Sequence, residues 1–160
     1  MLQTLKELFT AATAPSVSPA GMAHQLQLAT AVVLVEVMRA DPQIHPPERA
    51  AVLQALQARF ALGTDELARL VELAEQTARG ASDFHQFTSL INDRFDQDAK
   101  IQIVQNMWSV AYADGRLEAA ENHVISKVSG LLHVTHGEYI AAKLRAREAA
   151  EPPGASHRPA

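Results

Sequence analysis

The 160-residue sequence contains no cysteine. Disulfide bonds, thiolate metal sites and thiol-dependent catalysis are therefore excluded. The absence of cysteine is also compatible with the reducing cytoplasm, and we expect a cytoplasmic location.

Basic charge is scarce as well. Fourteen Lys and Arg residues stand against eighteen Asp and Glu residues, and the net charge is −4. Because nucleic-acid-binding proteins present a strongly basic face, we expect no nucleic-acid partner. Long apolar runs are also missing: the longest, Leu28–Met38, contains Thr30 and Glu36 and is too short to cross a bilayer. We therefore predict no transmembrane segment.

Aromatic residues make up only 5% of the chain, whereas 48% of the residues are hydrophobic and Ala and Leu dominate. This composition favours helices. No segment alternates between apolar and polar residues over a useful length, so we predict no β-sheet. The expected fold is all-α, a bundle of about seven to eight helices built from two pseudo-repeated halves.

Three regions follow from the pattern of apolar and turn-forming residues. Residues 1–21 are predicted to be an amphipathic helix over Leu2–Thr10 and a linker rich in Pro and Ser, residues 22–148 a helical domain, and residues 149–160 a disordered tail. Lys6 and Glu7 interrupt the apolar run of the first helix, so we do not expect it to be a signal peptide. We expect the apolar face of this helix to fold back onto the domain. Peripheral contact of this helix with a membrane is the less favoured alternative.

Within the domain, a long helix over about residues 20–40 is apolar almost all round, which is typical of the centre of a bundle. Thr64, Ser82 or Asp83, and Asp96 are candidate N-caps of later helices. The other predicted helices cover about residues 46–60, 64–79, 82–93, 96–112, 118–131 and 135–147.

The two halves of the chain resemble each other when the sequence is shifted by about 73 positions. Ala40-Asp41 then lies on Ala113-Asp114, and Glu48 lies on Glu121. Each half is predicted to be a helix, an acidic turn, a second helix, a short turn and a third helix. Two such units need each other to bury their apolar faces, so we expect a pseudo-twofold arrangement.

Each acidic turn brings together side chains that suit a cation. Convergent carboxylates bind hard cations such as calcium, magnesium or manganese, and a histidine in the set favours zinc. The candidate metal ligands are Asp41, His45 and Glu48 in the first half and Asp114, Glu118 and Glu121 in the second.

Helix capping is the alternative explanation for these acids. Glu48 and Glu121 fall near the third position of their helices, where a capping carboxylate is favourable. Capping does not explain Asp41 and Asp114, which lie near helix C-termini, where negative charge costs roughly 0.3–1 kcal/mol. Those two residues either help to bind a cation or accept backbone hydrogen bonds within the turn.

Signatures of catalysis are missing from the sequence. We find no Gly-rich phosphate loop, no serine-nucleophile motif, no twelve-residue calcium loop and no Glu-x-x-His pair. The protein is therefore predicted not to be an enzyme, and to need no cofactor other than a divalent cation.

The duplicated acidic turn resembles that of the tellurite-resistance TerB family, in its bacterial TerB-like branch. The resemblance covers roughly residues 26–145 and is carried by the pattern Ala-Asp-Gly-x-Leu-x-x-x-Glu from Ala113 onward. The other segments that carry it are Leu34–Asp41, Phe87–Asn92, Trp108–Gly115, Leu131–Val134 and Tyr139–Ala142. The resemblance implies an all-α bundle in the cytoplasm whose acidic turns form a metal-binding surface.

The sequence departs from the family pattern at three positions. Pro42 replaces the usual glycine and His45 the usual acid in the first turn, and Glu118 replaces an aspartate in the second. If only one turn binds a cation, we therefore expect it to be the second. The family resemblance predicts a stress-response protein that acts as a non-enzymatic, cation-binding interaction module with an unidentified protein partner. The alternative is a purely structural protein–protein interaction scaffold in which the acids only cap helices.

Overall fold

A computed structural model describes residues 19–41, 46–113, 115 and 117–150. The described residues form helices and no strand, in agreement with the predicted all-α class. The helices are α1 (Pro19–Arg39), α2 (Pro46–Phe60), α3 (Thr64–Gly80), α4 (His85–Arg94), α5 (Gln97–Tyr112), α6 (Ala119–Leu131) and α7 (His136–Ala150). The helix predicted at residues 2–10 and the tail predicted from residue 151 onward lie outside the described residues.

Helix α1 is the centre of the bundle and contacts each of α2 to α6. Its residues from Leu28 to Met38 are buried except for Glu36, because apolar side chains occur on all sides of the helix. The segment Gly21–Arg39 is long and apolar enough to cross a membrane by length and composition, and 61% of its most apolar window is buried in the protein. That burial is what a core helix shows, and the segment does not indicate a transmembrane protein.

Helix α5 is the second central helix and packs on α1, α2, α6 and α7. Its buried face includes Val104, Met107, Trp108 and Ala111. The most extensive helix pairs are α5 with α7 and α1 with α3. Each central helix is therefore covered mainly by the third helix of its own half, and it contacts the second helix of both halves.

The predicted N-caps agree with the structure only in part. Asp96 caps α5, since its Oδ1 accepts the N–H of Ala99 at 2.9 Å. The cap of α3 is Gly63 and not Thr64, which is the first helical residue. The cap of α4 is Phe84, while Asp83 Oδ1 accepts the N–H of His85 at 3.0 Å. The N-cap preferences of Thr, Ser and Asp thus located these helix starts to within one or two residues.

The ends of α2 and α6, which the predicted repeat pairs with each other, show the same backbone features. Ala61 follows α2 with φ of 51°, and His133 follows α6 with φ of 59°. Two residues further on, Gly63 N–H donates to Glu66 Oε1 at 3.1 Å and Thr135 N–H donates to Glu138 Oε1 at 2.9 Å. These correspondences favour the interpretation of two related halves, which remains a prediction.

Candidate metal centre

Three carboxylates, drawn from both predicted ligand sets, meet inside the bundle. One oxygen each from Asp41, Glu48 and Glu121 lies within 4.8 Å of the others. Glu48 and Glu121 are 0% exposed and Asp41 is 7% exposed. Acidic residues are almost never this deeply buried unless they are paired or bind a metal.

Helix ends place these three side chains. Asp41 follows the C-terminus of α1, whereas Glu48 and Glu121 are each the third residue of a helix, in α2 and α6. Pro46 and Pro47 begin α2, and proline is well suited to a first turn because its nitrogen needs no acceptor there. The positive ends of the α2 and α6 dipoles thus lie beside the glutamates and stabilise their negative charge.

Capping accounts for one of the oxygen atoms. Glu121 Oε1 accepts the backbone N–H of Glu118 at 3.0 Å, as predicted for a carboxylate at the third helical position. Glu118 is the N-cap of α6 and is only half-buried, and it is not a member of the buried cluster. The predicted ligands His45 and Asp114 lie outside the described residues.

The cluster joins the two halves of the chain, which the sequence did not reveal. Asp41 and Glu48 come from the first acidic turn, and Glu121 comes from the second. Among the described residues, no histidine or acid outside the six predicted ligands completes such a group. The grouping depends on how α2 and α6 pack around α1 and α5, and no spacing within a single turn could have indicated it.

The basic residues nearest in sequence to Asp41 and Glu48 are Arg39 and Arg49, and each makes an ion pair with another acid. Arg39 Nη1 donates to Glu36 Oε1 at 2.7 Å, and Arg49 donates to Glu75 Oε1. Burial raises the pKa of Glu36, and the Arg39 guanidinium lowers it by a smaller amount. The two acids in these ion pairs, Glu36 and Glu75, are not members of the cluster.

The oxygen separations fit a hard divalent cation. Two oxygens bound to one calcium ion at about 2.3–2.6 Å can be at most about 5 Å apart. The limit of 4.8 Å on the three separations falls inside that span. An all-carboxylate donor set also matches calcium, magnesium or manganese better than a soft metal. The three carboxylates are therefore candidate ligands of such a cation.

The comparison with known proteins agrees with the resemblance seen in the sequence. No curated protein and no solved structure matches the chain. The family described as "Tellurite resistance protein TerB" matches residues 27–144, which is more than half of the chain and includes all three clustered acids. The chain therefore belongs to the TerB family.

Proposed function

We propose that this protein is a non-enzymatic interaction module in which Asp41, Glu48 and Glu121 bind one hard divalent cation. The observation that carries the proposal is the convergence of these three carboxylates inside the bundle. A bound cation would hold the end of α1 against the starts of α2 and α6, and so tie the two halves together. The role as an interaction module is the one that the family resemblance implies.

Burial of the cluster argues for a structural cation and against a catalytic one. Catalytic metal sites keep an open coordination position for water or substrate, whereas structural sites are closed by protein ligands. Glu48 and Glu121 have no exposed surface, so a substrate does not reach them in this arrangement. A cation here would act on the stability and geometry of the bundle.

The alternative function is an interaction scaffold in which the acids only cap helices. The hydrogen bond from Glu118 N–H to Glu121 Oε1 favours it, because this contact stabilises the start of α6 without any cation. Capping does not explain why Asp41, at the C-terminal end of α1, is buried beside two glutamates. Like charges at such short range repel strongly in a site of low polarity.

Thermal unfolding with and without cations distinguishes the two functions. The protein is unfolded in EDTA and then in calcium, magnesium, manganese or zinc, and heats of binding are measured by titration calorimetry. We expect calcium or another hard cation to stabilise the fold by about 2.7 kcal/mol at a concentration one hundred times Kd. For a domain of this size that corresponds to a rise in Tm of roughly 5–10 °C.

Two matched variants make the test specific. Glu121→Gln keeps an oxygen that can accept the Glu118 N–H and removes one charge from the cluster. Glu138→Gln makes the same change at the third residue of α7, where Oε1 accepts the Thr135 N–H at 2.9 Å outside the cluster. We expect Glu121→Gln to lose the calcium-dependent rise in Tm and Glu138→Gln to retain it.

The effect of Glu121→Gln on stability should change sign between EDTA and saturating calcium. In EDTA, Glu121→Gln should be more stable than the unmodified protein because it relieves repulsion among buried carboxylates. In saturating calcium it should be less stable, because it has lost a ligand charge. No heat of binding and no change in Tm with any of the four cations would end the cation proposal and leave the capping scaffold.

A further inference from the structure

A groove of about 600 Å³ lies between the first turns of α1 and one face of α3. Its floor is formed by leucines, namely Leu62, Leu70 and Leu73, which pack on the core from one side. Its rim is polar and is formed mainly by His24, Glu66, Arg69 and Glu72, which are exposed. An apolar floor with a charged rim is the form of groove that receives the apolar face of an amphipathic helix.

We propose that residues 2–9 of the same chain occupy this groove. Leu2, Leu5, Leu8 and Phe9 recur at the spacing of one helical face, so the segment offers a row of large apolar side chains. Such a row is unfavourable in water, and the leucine floor provides a matching surface.

The connection is long enough to allow this docking. The chain enters α1 at Pro19, and the groove residues His24 and Gln27 lie about 7.5 Å and 12 Å further along the helix axis. Residues 10–18 span up to about 30 Å when extended. The linker can therefore turn back and place residues 2–9 beside the first turns of α1.

Charges on the segment complement those on the groove rim. Glu66, Arg69 and Glu72 follow one another at intervals of three along α3, so the rim alternates acidic, basic, acidic. The segment carries one basic and one acidic residue side by side, Lys6 and Glu7. Lys6 can thus pair with a rim glutamate, Glu66 or Glu72, while Glu7 pairs with Arg69.

Other occupants fit this groove less well. A segment joined by a nine-residue linker is present at an effective concentration in the millimolar range, which a second copy reaches only in very concentrated solution. The first 18 residues hold only Lys6 and Glu7 as charged side chains, so they lack the basic cluster that attracts an amphipathic helix to an anionic membrane.

The absence of cysteine permits a direct test in the full-length chain. Gln3→Cys provides the only thiol, and a nitroxide is attached to it. The nitroxide broadens the amide NMR signals of nearby residues. The signals are compared with those of the same sample after the nitroxide has been reduced. We expect loss of the signals of residues 66–73 on α3 and retention of those of residues 139–146 on α7, which packs on α5. Retention of the α3 signals would overturn the proposal.

Two further samples test whether the groove is occupied by residues 2–9 of the same chain. In Gln3→Cys combined with Leu5→Asp and Phe9→Asp, the apolar face is disrupted, and we expect the α3 signals to return. In an equimolar mixture of ¹⁵N-labelled protein without nitroxide and ¹⁴N protein with nitroxide, we expect no broadening of the ¹⁵N protein's signals. Broadening in the mixture, or its persistence in the triple variant, would show that a second copy or a non-specific contact is responsible, and would refute docking within one chain.

Discussion

Among the described residues, three glutamates at the third position of a helix make the same local contact. Glu66, Glu121 and Glu138 each accept, through Oε1, the backbone N–H of the residue three positions earlier. Their surroundings differ, since Glu121 is buried beside Asp41 and Glu48 whereas Glu66 is exposed. The same residue in the same local motif is therefore a simple cap in one place and a candidate ligand in another.

Glu138 gives a pH-dependent prediction at the residue scale. The backbone N–H of Thr135, and then the Gln97 side chain, lower the pKa of Glu138 from its ordinary value of 4.5 by hydrogen bonding to the ionised carboxylate. Its stabilising contribution is therefore fully present above pH 4.5 and is lost as the pH falls through the lower pKa of the folded state. We expect Glu138→Gln to lower Tm at pH 7.

The Tm difference between the unmodified protein and Glu138→Gln should decrease as the pH is lowered. It should shrink steadily below pH 4.5, as the carboxyl of the unmodified protein becomes protonated. Calorimetric scans of both proteins between pH 3 and pH 7 measure it. A difference that is constant across this range would show that ionisation of Glu138 does not contribute to stability.

At the scale of elements, the turns after the helices carry the unusual backbone geometry. Gly115, in the turn that leads to α6, has φ of 85°, and its N–H donates to the Tyr112 carbonyl at 2.9 Å. Glycine adopts this conformation without the steric cost that a Cβ brings. Ala61 and His133 adopt positive φ with a side chain, so the ends of α2 and α6 are the more strained of these turns.

A pair of glycine substitutions tests the role of this turn. No atom lies within 4 Å of a Cβ added at Gly115 or at Gly130, so neither change creates a clash. We expect Gly115→Ala to lower the free energy of unfolding by about 1–2 kcal/mol, because alanine is strained at positive φ. Gly130 lies within α6, where alanine is the better helix former by up to about 1 kcal/mol, so Gly130→Ala should stabilise the protein. Urea unfolding of the two variants gives both values, and equal changes would contradict the backbone argument.

At the scale of the whole molecule, the two central helices share one core. α1 from the first half contacts α5 from the second, and both contact α2 and α6. Leu34 on α1 and Trp108 on α5 are each completely buried in this core. Neither half can unfold without exposing the apolar surface of the other, so we expect a single cooperative transition.

Leu34→Ala tests this cooperativity. Removal of a completely buried leucine side chain should lower the free energy of unfolding by about 2–5 kcal/mol. Trp108 is the only tryptophan and reports on the second half by fluorescence, while far-UV circular dichroism reports on all helices. We expect both signals to shift to the same lower denaturant midpoint. An unchanged fluorescence midpoint would show that the halves unfold independently.

Local signals in the sequence were sufficient to predict the described helices. Periodic apolar residues and the breaks at Pro42, Gly63 and Gly80 located the helices to within a few residues of their observed bounds. The exact N-caps were less predictable. Gly63 and Phe84 are the N-caps of α3 and α4, and neither has a side chain that makes a capping hydrogen bond. The groove beside α3 was not predicted at all, since it depends on the distance between α1 and α3.

By itself, the sequence determined the all-α class, the central position of α1 and the six acidic or histidine candidates, because these depend on residue type and on spacing within one helix or turn. Only the tertiary structure decided which candidates share a site. Asp41 and Glu48 are separated from Glu121 by more than seventy residues, and all three are buried together because α2 and α6 begin at the same place in the bundle. That meeting arises from the packing of helices from both halves, which the spacing of residues within either half does not encode.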